Sequence, residues 1–216
     1  MSEVSVALTS CGRPDLLKET IESFLKFNSY PLADFFVIED RNEKTEEIIK
    51  VIDKFSNVKL LITDERVGQA RAIEQVYGEI KTKYIFHCED DWKFYKSGFI
   101  EKSIPILESD PNILQVHVRA PNEINGHPVS QSYLIENIGV RRLAFNYLKV
   151  WHGFSWNPGL RRKEDLIKDG KLPNFKHEHH FSIHYKELGF YAVILDEKDG
   201  YVTHIGRYRH VNDPSL

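Results

Sequence analysis

Residues 84–95 read YIFHCEDDWKFY. An apolar run, Tyr84-Ile85-Phe86, leads into Glu89, Asp90 and Asp91 side by side, with Trp92 directly after them. Like charges at close range repel, so a chain that crowds three carboxylates at the end of a buried strand has a use for them. A strand that is apolar throughout, rather than alternating, belongs to a sheet covered on both faces, which is the habit of parallel sheets.

The segments before it follow the same plan. Residues 4–9 (VSVALT) read as a buried strand, and Pro14 then suits the first turn of a helix whose apolar face is Leu16, Leu17, Ile21, Phe24 and Leu25. Residues 35–38 form a second strand ending on Glu39-Asp40, followed by a helix through Ile48, Ile49, Ile52 and Phe55. Residues 58–62 are a third strand, and Ala70, Ile73, Val76, Tyr77 and Ile80 mark a third helix. This alternation predicts an α/β fold: a mostly parallel sheet, helices on both faces and right-handed crossovers.

The second half is less regular. A helix over 98–109, disturbed by Pro105, precedes a strand over 114–118, and the polar residues 120–139 read as a long loop or hairpin. Residues 177–188 look helical. Residues 191–195 and 201–205 read as a C-terminal hairpin across Asp199-Gly200. With no repeat and no linker, residues 1–216 read as a single domain.

Composition narrows the function classes. The chain has 216 residues, 41% hydrophobic and 28% charged, so it is long enough for a sizeable core. A net charge of -3 argues against a protein built to coat nucleic acid. Two cysteines, Cys11 and Cys88, make no disulfide framework. The start, MSEVSVALTS, lacks the basic region of a signal peptide and is too short in apolar length for a membrane span. A soluble cytoplasmic protein is the expectation.

Ligands of open α/β sheets bind beyond the carboxyl ends of the strands. Three polar clusters stand there: Thr9-Ser10-Cys11-Gly12-Arg13, Glu39-Asp40 and Glu89-Asp90-Asp91. Acids after a second strand commonly bond a ribose or base. The first turn holds one glycine and not GxGxxG, and no GxxxxGK[ST] occurs, so neither a dinucleotide loop nor a P-loop is present. Carboxylates suit Mn²⁺ or Mg²⁺, which keep positions open for substrate phosphates. The acids therefore read as a metal platform under a nucleotide diphosphate. A plain helix N-terminal acid cluster is the alternative.

Three stretches now resemble one family. TSCGRPDLLKETIESFL, FFVIEDRN and ITDERVGQARAIEQVYGEIKTKYIFHCEDD resemble the opening blocks of family-2 glycosyltransferases, a likeness that covers residues 4–95. That resemblance implies a GT-A fold, with residues 1–95 binding a nucleotide sugar, UDP-linked by preference, and residues 96–216 binding an acceptor such as a glycan or glycoprotein. It implies that Thr9, Ser10 and Arg13 line the nucleoside pocket, that Asp40 bonds base or ribose, and that Gly68 and Arg71 sit over ribose and phosphates. Asp91 would ligate the metal, Glu89 and Asp90 would hold metal, ribose or donor sugar, and His204 would complete the metal set. Arg207 and Arg209 alternate along the chain, so either could reach the diphosphate. WHGFSWNPGLRR and GYVTHIGRYRH further resemble a soluble subset with a CEDDW-type motif, some encoded by large DNA viruses of algae, which decorate their capsid protein. The sequence departs from the family pattern in two places: Glu89 stands where an Asp is usual, and Arg71 lacks the usual following Asn.

KHEHHFSIHY, residues 176–185, invites a metalloprotease reading, but HExxH from His177 would need a histidine where Phe181 stands. Glu178 fits, by location, the carboxylate base of an inverting transferase. Trp151, His152, Phe154, Trp156 and Asn157 offer aromatic faces and polar tips for a sugar, although Phe154, like Trp92, reads better as core packing. Two rivals stand beside glycosyl transfer: a nucleotidyltransferase, which the glycine-poor TSCGRPD disfavours, and a non-catalytic nucleotide-sugar or glycan-binding module.

Overall fold

A computed structural model describes residues 2–167 and 171–209. The first half follows the alternation read from the sequence: β1 (Val4–Ser10), α1 (Pro14–Phe27), β2 (Asp34–Glu39), α2 (Thr45–Ile52), β3 (Lys59–Ile62), α3 (Gln69–Glu79) and β4 (Tyr84–Glu89). β1 lies between β2 and β4, parallel to both, with Leu8 opposite Val37 and Cys88. It is buried along its whole length, its small hydroxyl residues Ser5, Thr9 and Ser10 included, as a central strand covered on both faces should be. α1 begins on Pro14, whose missing N–H belongs to the turn that has no intrahelical acceptor, and buries Leu16, Leu17, Ile21 and Phe24.

The second half adds β5 (Trp92–Phe94), α4 (Phe99–Ser109), β6 (Ile113–His117), β7 (Tyr133–Ile135), β8 (Ile138–Arg142), β9 (Gly159–Arg162), α5 (Lys163–Leu166), α6 (Glu178–Glu187), β10 (Tyr191–Leu195) and β11 (Val202–His204). Among the described residues, nine strands form one sheet in the order β3-β2-β1-β4-β9-β6-β10-β8-β7. β9 runs antiparallel between β4 and β6, so the sheet is parallel over β3-β2-β1-β4 and mixed beyond it. Residues 133–142, at the end of the polar stretch and just beyond it, are a hairpin, turned by Glu136 and Asn137, both at positive φ.

Two apolar layers cover the sheet. One face packs Leu17, Ile21 and Phe24 of α1, Ile48 of α2 and Ile106 of α4. Phe24 is its centre, with ring centroids 5.0–5.6 Å from Phe35, Phe86, Phe94 and Phe99. The other face packs Ile73 and Val76 of α3 against Trp156 and against Phe181 and Tyr185 of α6. Among the described residues, no helix is long and apolar enough to cross a membrane.

The expected C-terminal hairpin does not form. β10 joins the main sheet between β6 and β8, whereas β11 pairs antiparallel with β5 in a separate two-stranded ribbon, His204 opposite Trp92. The turn at Asp199-Gly200 exists, but it sends the chain across the sheet end instead of back along β10. Gly200 has φ +70°, and a Cβ there would lie 2.3 Å from Ala120 N. Gly200→Ala therefore loses more than about 2 kcal/mol, combining left-handed strain with a backbone clash. A urea-unfolding midpoint within error of the native one would refute this.

Candidate functional site

β4 delivers the acids beside the end of β1, and Arg13, at the start of α1, reaches across to them. Its Nη1 donates to Asp91 Oδ2 at 2.7 Å and its Nε to Asp90 Oδ2 at 3.3 Å, while Nη2 bonds Asp90 Oδ1. Cys11 N also donates to Asp90 Oδ2, at 3.4 Å. Arg13 was expected to line a nucleoside pocket; here it is first the counter-ion of two acids. Asp90 is 1% exposed, and burial pushes its carboxyl up to about 6 against the pull of Arg13. Burial would raise Asp91 as well, but the His204 hydrogen bond and the Arg13 charge outweigh it and hold this acid below its ordinary value.

His204 Nε2 lies 3.1 Å from Asp91 Oδ2. The β5–β11 ribbon makes this meeting: His204 stacks on the Trp92 ring at 4.7 Å, and Ile205 N donates to Asp91 O at 2.9 Å. Asp91 Oδ1 is buried without a partner among the described residues. Glu89, expected as a third metal ligand, is tied up instead. Gln69 Nε2 donates to its Oε1 at 2.8 Å and Trp92 Nε1 to its Oε2 at 3.3 Å. Burial first, then the charges of Asp91 and Glu178, push Glu89 up to about 8.

Among the described residues, no group of three His, Cys, Asp or Glu side chains comes together to cage a cation. The orphaned Asp91 Oδ1 with His204 Nε2 alongside nevertheless suits a hard cation that takes its remaining ligands from water and phosphate. Gly206 keeps that corner open, since a Cβ there would lie 2.5 Å from Asp91 Oδ2. Gly206→Ala is therefore expected to displace the acid, lowering activity at least tenfold with little change in melting temperature. Full activity in that variant would show that Asp91 tolerates the shift.

A recess of about 300 Å³ lies against Arg13 and is lined also by Cys11, Lys44, Arg66 and Arg209. Among the described residues the wall carries four cations, Arg13 included, against one carboxylate, Glu43, an excess of positive charge that suits a phosphate-bearing ligand. Thr9 and Ser10 are not on its wall; they are 8% and 4% exposed within the end of β1, and the residues after them form the lining. Asp40 holds a loop: its Oδ1 accepts Val67 N at 2.8 Å and its Oδ2 accepts Gly68 N at 3.0 Å, fixing Gly68 at φ +86° where α3 begins. Arg71 is brought elsewhere, to Glu74 Oε1 at 3.2 Å and Asn174 Oδ1 at 2.5 Å on the outer side of α3. The strand ends at His204, so Arg207 and Arg209 do not alternate along it. Arg209 donates to Asp15 Oδ1 at 2.9 Å and its carbonyl accepts from Arg13.

A second cavity, also about 300 Å³, carries Glu178 and Arg119 on its wall. Glu178 stands at the first position of α6, and its Oε1 accepts Trp156 N at 2.8 Å. Burial pushes its carboxyl up to about 6, although that N–H and the charges of Arg161 and Arg119 pull the other way. Of the aromatic loop, Trp151, Phe154 and Asn157 line the cavity, whereas Trp156 is core, packed edge-on to Phe154 at 4.7 Å. His180 and His184 flank the ring of Phe175 at 6.0 and 5.5 Å.

Arg119 escaped the sequence reading. It is 5% exposed, its guanidinium lies 4.8 Å over the Trp92 ring, and its Nε is buried without a partner among the described residues. The signal was available: the strand ILQVH runs through Val118 into a charge, as β4 runs into its acids.

The sequence profile of glycosyl transferase family 2 matches residues 5–173. No curated protein matches the chain. Among solved structures, the mannosyltransferase PcManGT from Pyrobaculum calidifontis, in complex with GDP-Man and Mn²⁺, is similar with a TM-score of 0.66 and 15% identity, over 96% of this chain and 58% of that one. S. aureus TarS is similar with a TM-score of 0.63 and 16% identity, over 94% of this chain and 36% of that one. The chain thus spans less than two thirds of these proteins' length, and the likeness is one of fold.

Proposed function

The chain belongs to glycosyl transferase family 2, and we propose that it moves a sugar from a nucleotide-sugar donor, UDP-linked by preference, to an acceptor hydroxyl. The observation that carries this reading is the meeting of Asp91 with His204 at 3.1 Å, with one hollow reached through Arg13 and another through Arg119 and Glu178. The basic recess receives the nucleoside diphosphate. Asp91 and His204 would hold Mn²⁺ or Mg²⁺, which supplies positive charge for the departing diphosphate. The GDP-Man and Mn²⁺ of the Pyrobaculum enzyme make GDP-mannose the second donor to try.

In the second hollow an acceptor hydroxyl gives its proton to Glu178. Its oxygen bonds the anomeric carbon as the carbon–oxygen bond to the diphosphate breaks, and the nucleoside diphosphate leaves with the electron pair. Configuration inverts, because attack and departure occur on opposite faces. A base with its pKa near 6 is ionised at neutral pH yet still basic enough to accept the proton. Arg13 keeps Asp90 and Asp91 in register, and Trp92 ties Glu89, His204 and Arg119 into one unit. Most of the rate then comes from holding donor and acceptor in line. The narrower likeness to capsid-decorating enzymes makes a glycoprotein glycan one acceptor to test. Incubating the protein with UDP-sugars and GDP-mannose, with and without Mn²⁺, should release nucleoside diphosphate only with the cation, water taking the sugar in place of an acceptor hydroxyl. Release from none of the donors by folded protein would sink the proposal.

A further inference from the structure

We propose that the cavity at Glu178 takes an uncharged sugar ring as the acceptor, with Arg119 balancing the charge of the base and bonding a ring hydroxyl. The inference rests on the transferase reading and names its acceptor class. Among the described residues the lining carries one charge of each sign, Glu178 and Arg119. Its histidines are neutral: burial holds His117 down near 3 and lowers His127 also. An anionic acceptor would have to bring its own charge up to the carboxylate that must take its proton, which costs Coulomb energy in a buried site.

The remaining polar groups are scattered singly. His117 is spent on the wall, its Nε2 on Gly153 O at 2.8 Å and its Nδ1 facing Gln115 Nε2 at 3.3 Å. Asn157 Nδ2 donates to Ser155 Oγ at 2.8 Å, which leaves the amide oxygen as an acceptor. His127 Nε2 is bonded to Ala144 O at 2.9 Å, which leaves Nδ1. Arg119 donates through Nη2 to Glu123 O, whereas its buried Nε has no partner among the described residues, and an acceptor oxygen would satisfy it. Isolated donors and acceptors suit hydroxyls, which do both; a phosphate or carboxylate calls for several converging donors. Trp151, Ile124 and Leu143 supply the apolar wall against which the C–H face of a sugar packs. A volume of about 300 Å³ is at the lower end of small-molecule sites, enough for the end of a glycan and too small for a folded peptide surface.

The test measures Mn²⁺-dependent nucleoside diphosphate release, first with donor alone and then with two acceptor panels. One panel holds methyl glucosides, methyl mannosides and maltose, and the other holds glucuronic acid, galacturonic acid and glucose 1-phosphate. The neutral panel is expected to stimulate release at least tenfold and the anionic panel not at all. Trp151→Ala and Asn157→Ala should each raise the KM for the stimulating acceptor at least tenfold, with melting curves confirming that they fold. Stimulation by the anionic panel alone, or by neither, with donor-only release intact, overturns the acceptor class and leaves the transferase reading standing. No release from any donor removes that reading and this inference together.

Discussion

Asp91→Asn is expected to lower donor turnover about a thousandfold or more while leaving the protein folded. Asparagine keeps the size of the side chain and an oxygen that Arg13 can still donate to, and Arg13 retains its two bonds to Asp90. What is lost is the negative charge beside His204 and the second carboxylate oxygen, now buried without a partner. If that oxygen receives a cation, its removal forfeits the charge stabilisation of the leaving diphosphate, several kcal/mol, and each ~1.4 kcal/mol is tenfold in rate. Steady-state release of nucleoside diphosphate and a thermal melt on the same preparation check both halves. Near-native turnover in a folded Asp91→Asn protein would place the chemistry elsewhere.

Glu178→Gln should lower kcat by about 10²–10⁴-fold, the usual contribution of a positioned base, with little effect on donor affinity. Glutamine can still accept the Trp156 N–H, so the start of α6 is preserved. The wild-type rate should rise with pH through about 6 and then level, because the ionised base is the active form. Stability gives an independent check with a definite sign. The folded pKa of about 6 exceeds the ordinary 4.5, so the ionised form is disfavoured by folding. The penalty is absent below the ordinary value and complete above about 6. Glu178→Gln should therefore match wild-type stability near pH 4 and exceed it at pH 7–8 by up to about 2 kcal/mol. A glutamine variant that retains wild-type kcat, or whose stability difference is independent of pH, would mean that Glu178 is an ordinary wall residue.

Much of this was written locally in the chain. Largely apolar runs that end in polar residues, acids after β2 and β4, specify strands β1, β2 and β4 and the edge at which the site forms, because period and burial are properties of a few adjacent residues. Resemblance put Asp91 and His204 in one site, and the structure brings the two side chains within 3.1 Å of each other. The spacing alone contains nothing that brings them together; β5 and β11 do so by pairing outside the main sheet. That same pairing is why the hairpin expected at 191–205 fails: a turn signal fixes where a chain bends, not which strand it meets next. Asp40 and Arg71 show a second gap. A carboxylate at a strand end looks the same in sequence whether it faces a ribose or two backbone N–H groups, and only the position of Val67 and Gly68 decides. Glu89 likewise turns on Gln69, a neutral side chain with no motif of its own.

The most direct test of the central claim is a calorimetric titration of UDP, and then of GDP, into the protein with and without Mn²⁺. The account predicts binding of one of them that depends on the cation and disappears in Asp91→Asn. Equal affinity with and without Mn²⁺, or no binding of either nucleotide, would contradict it.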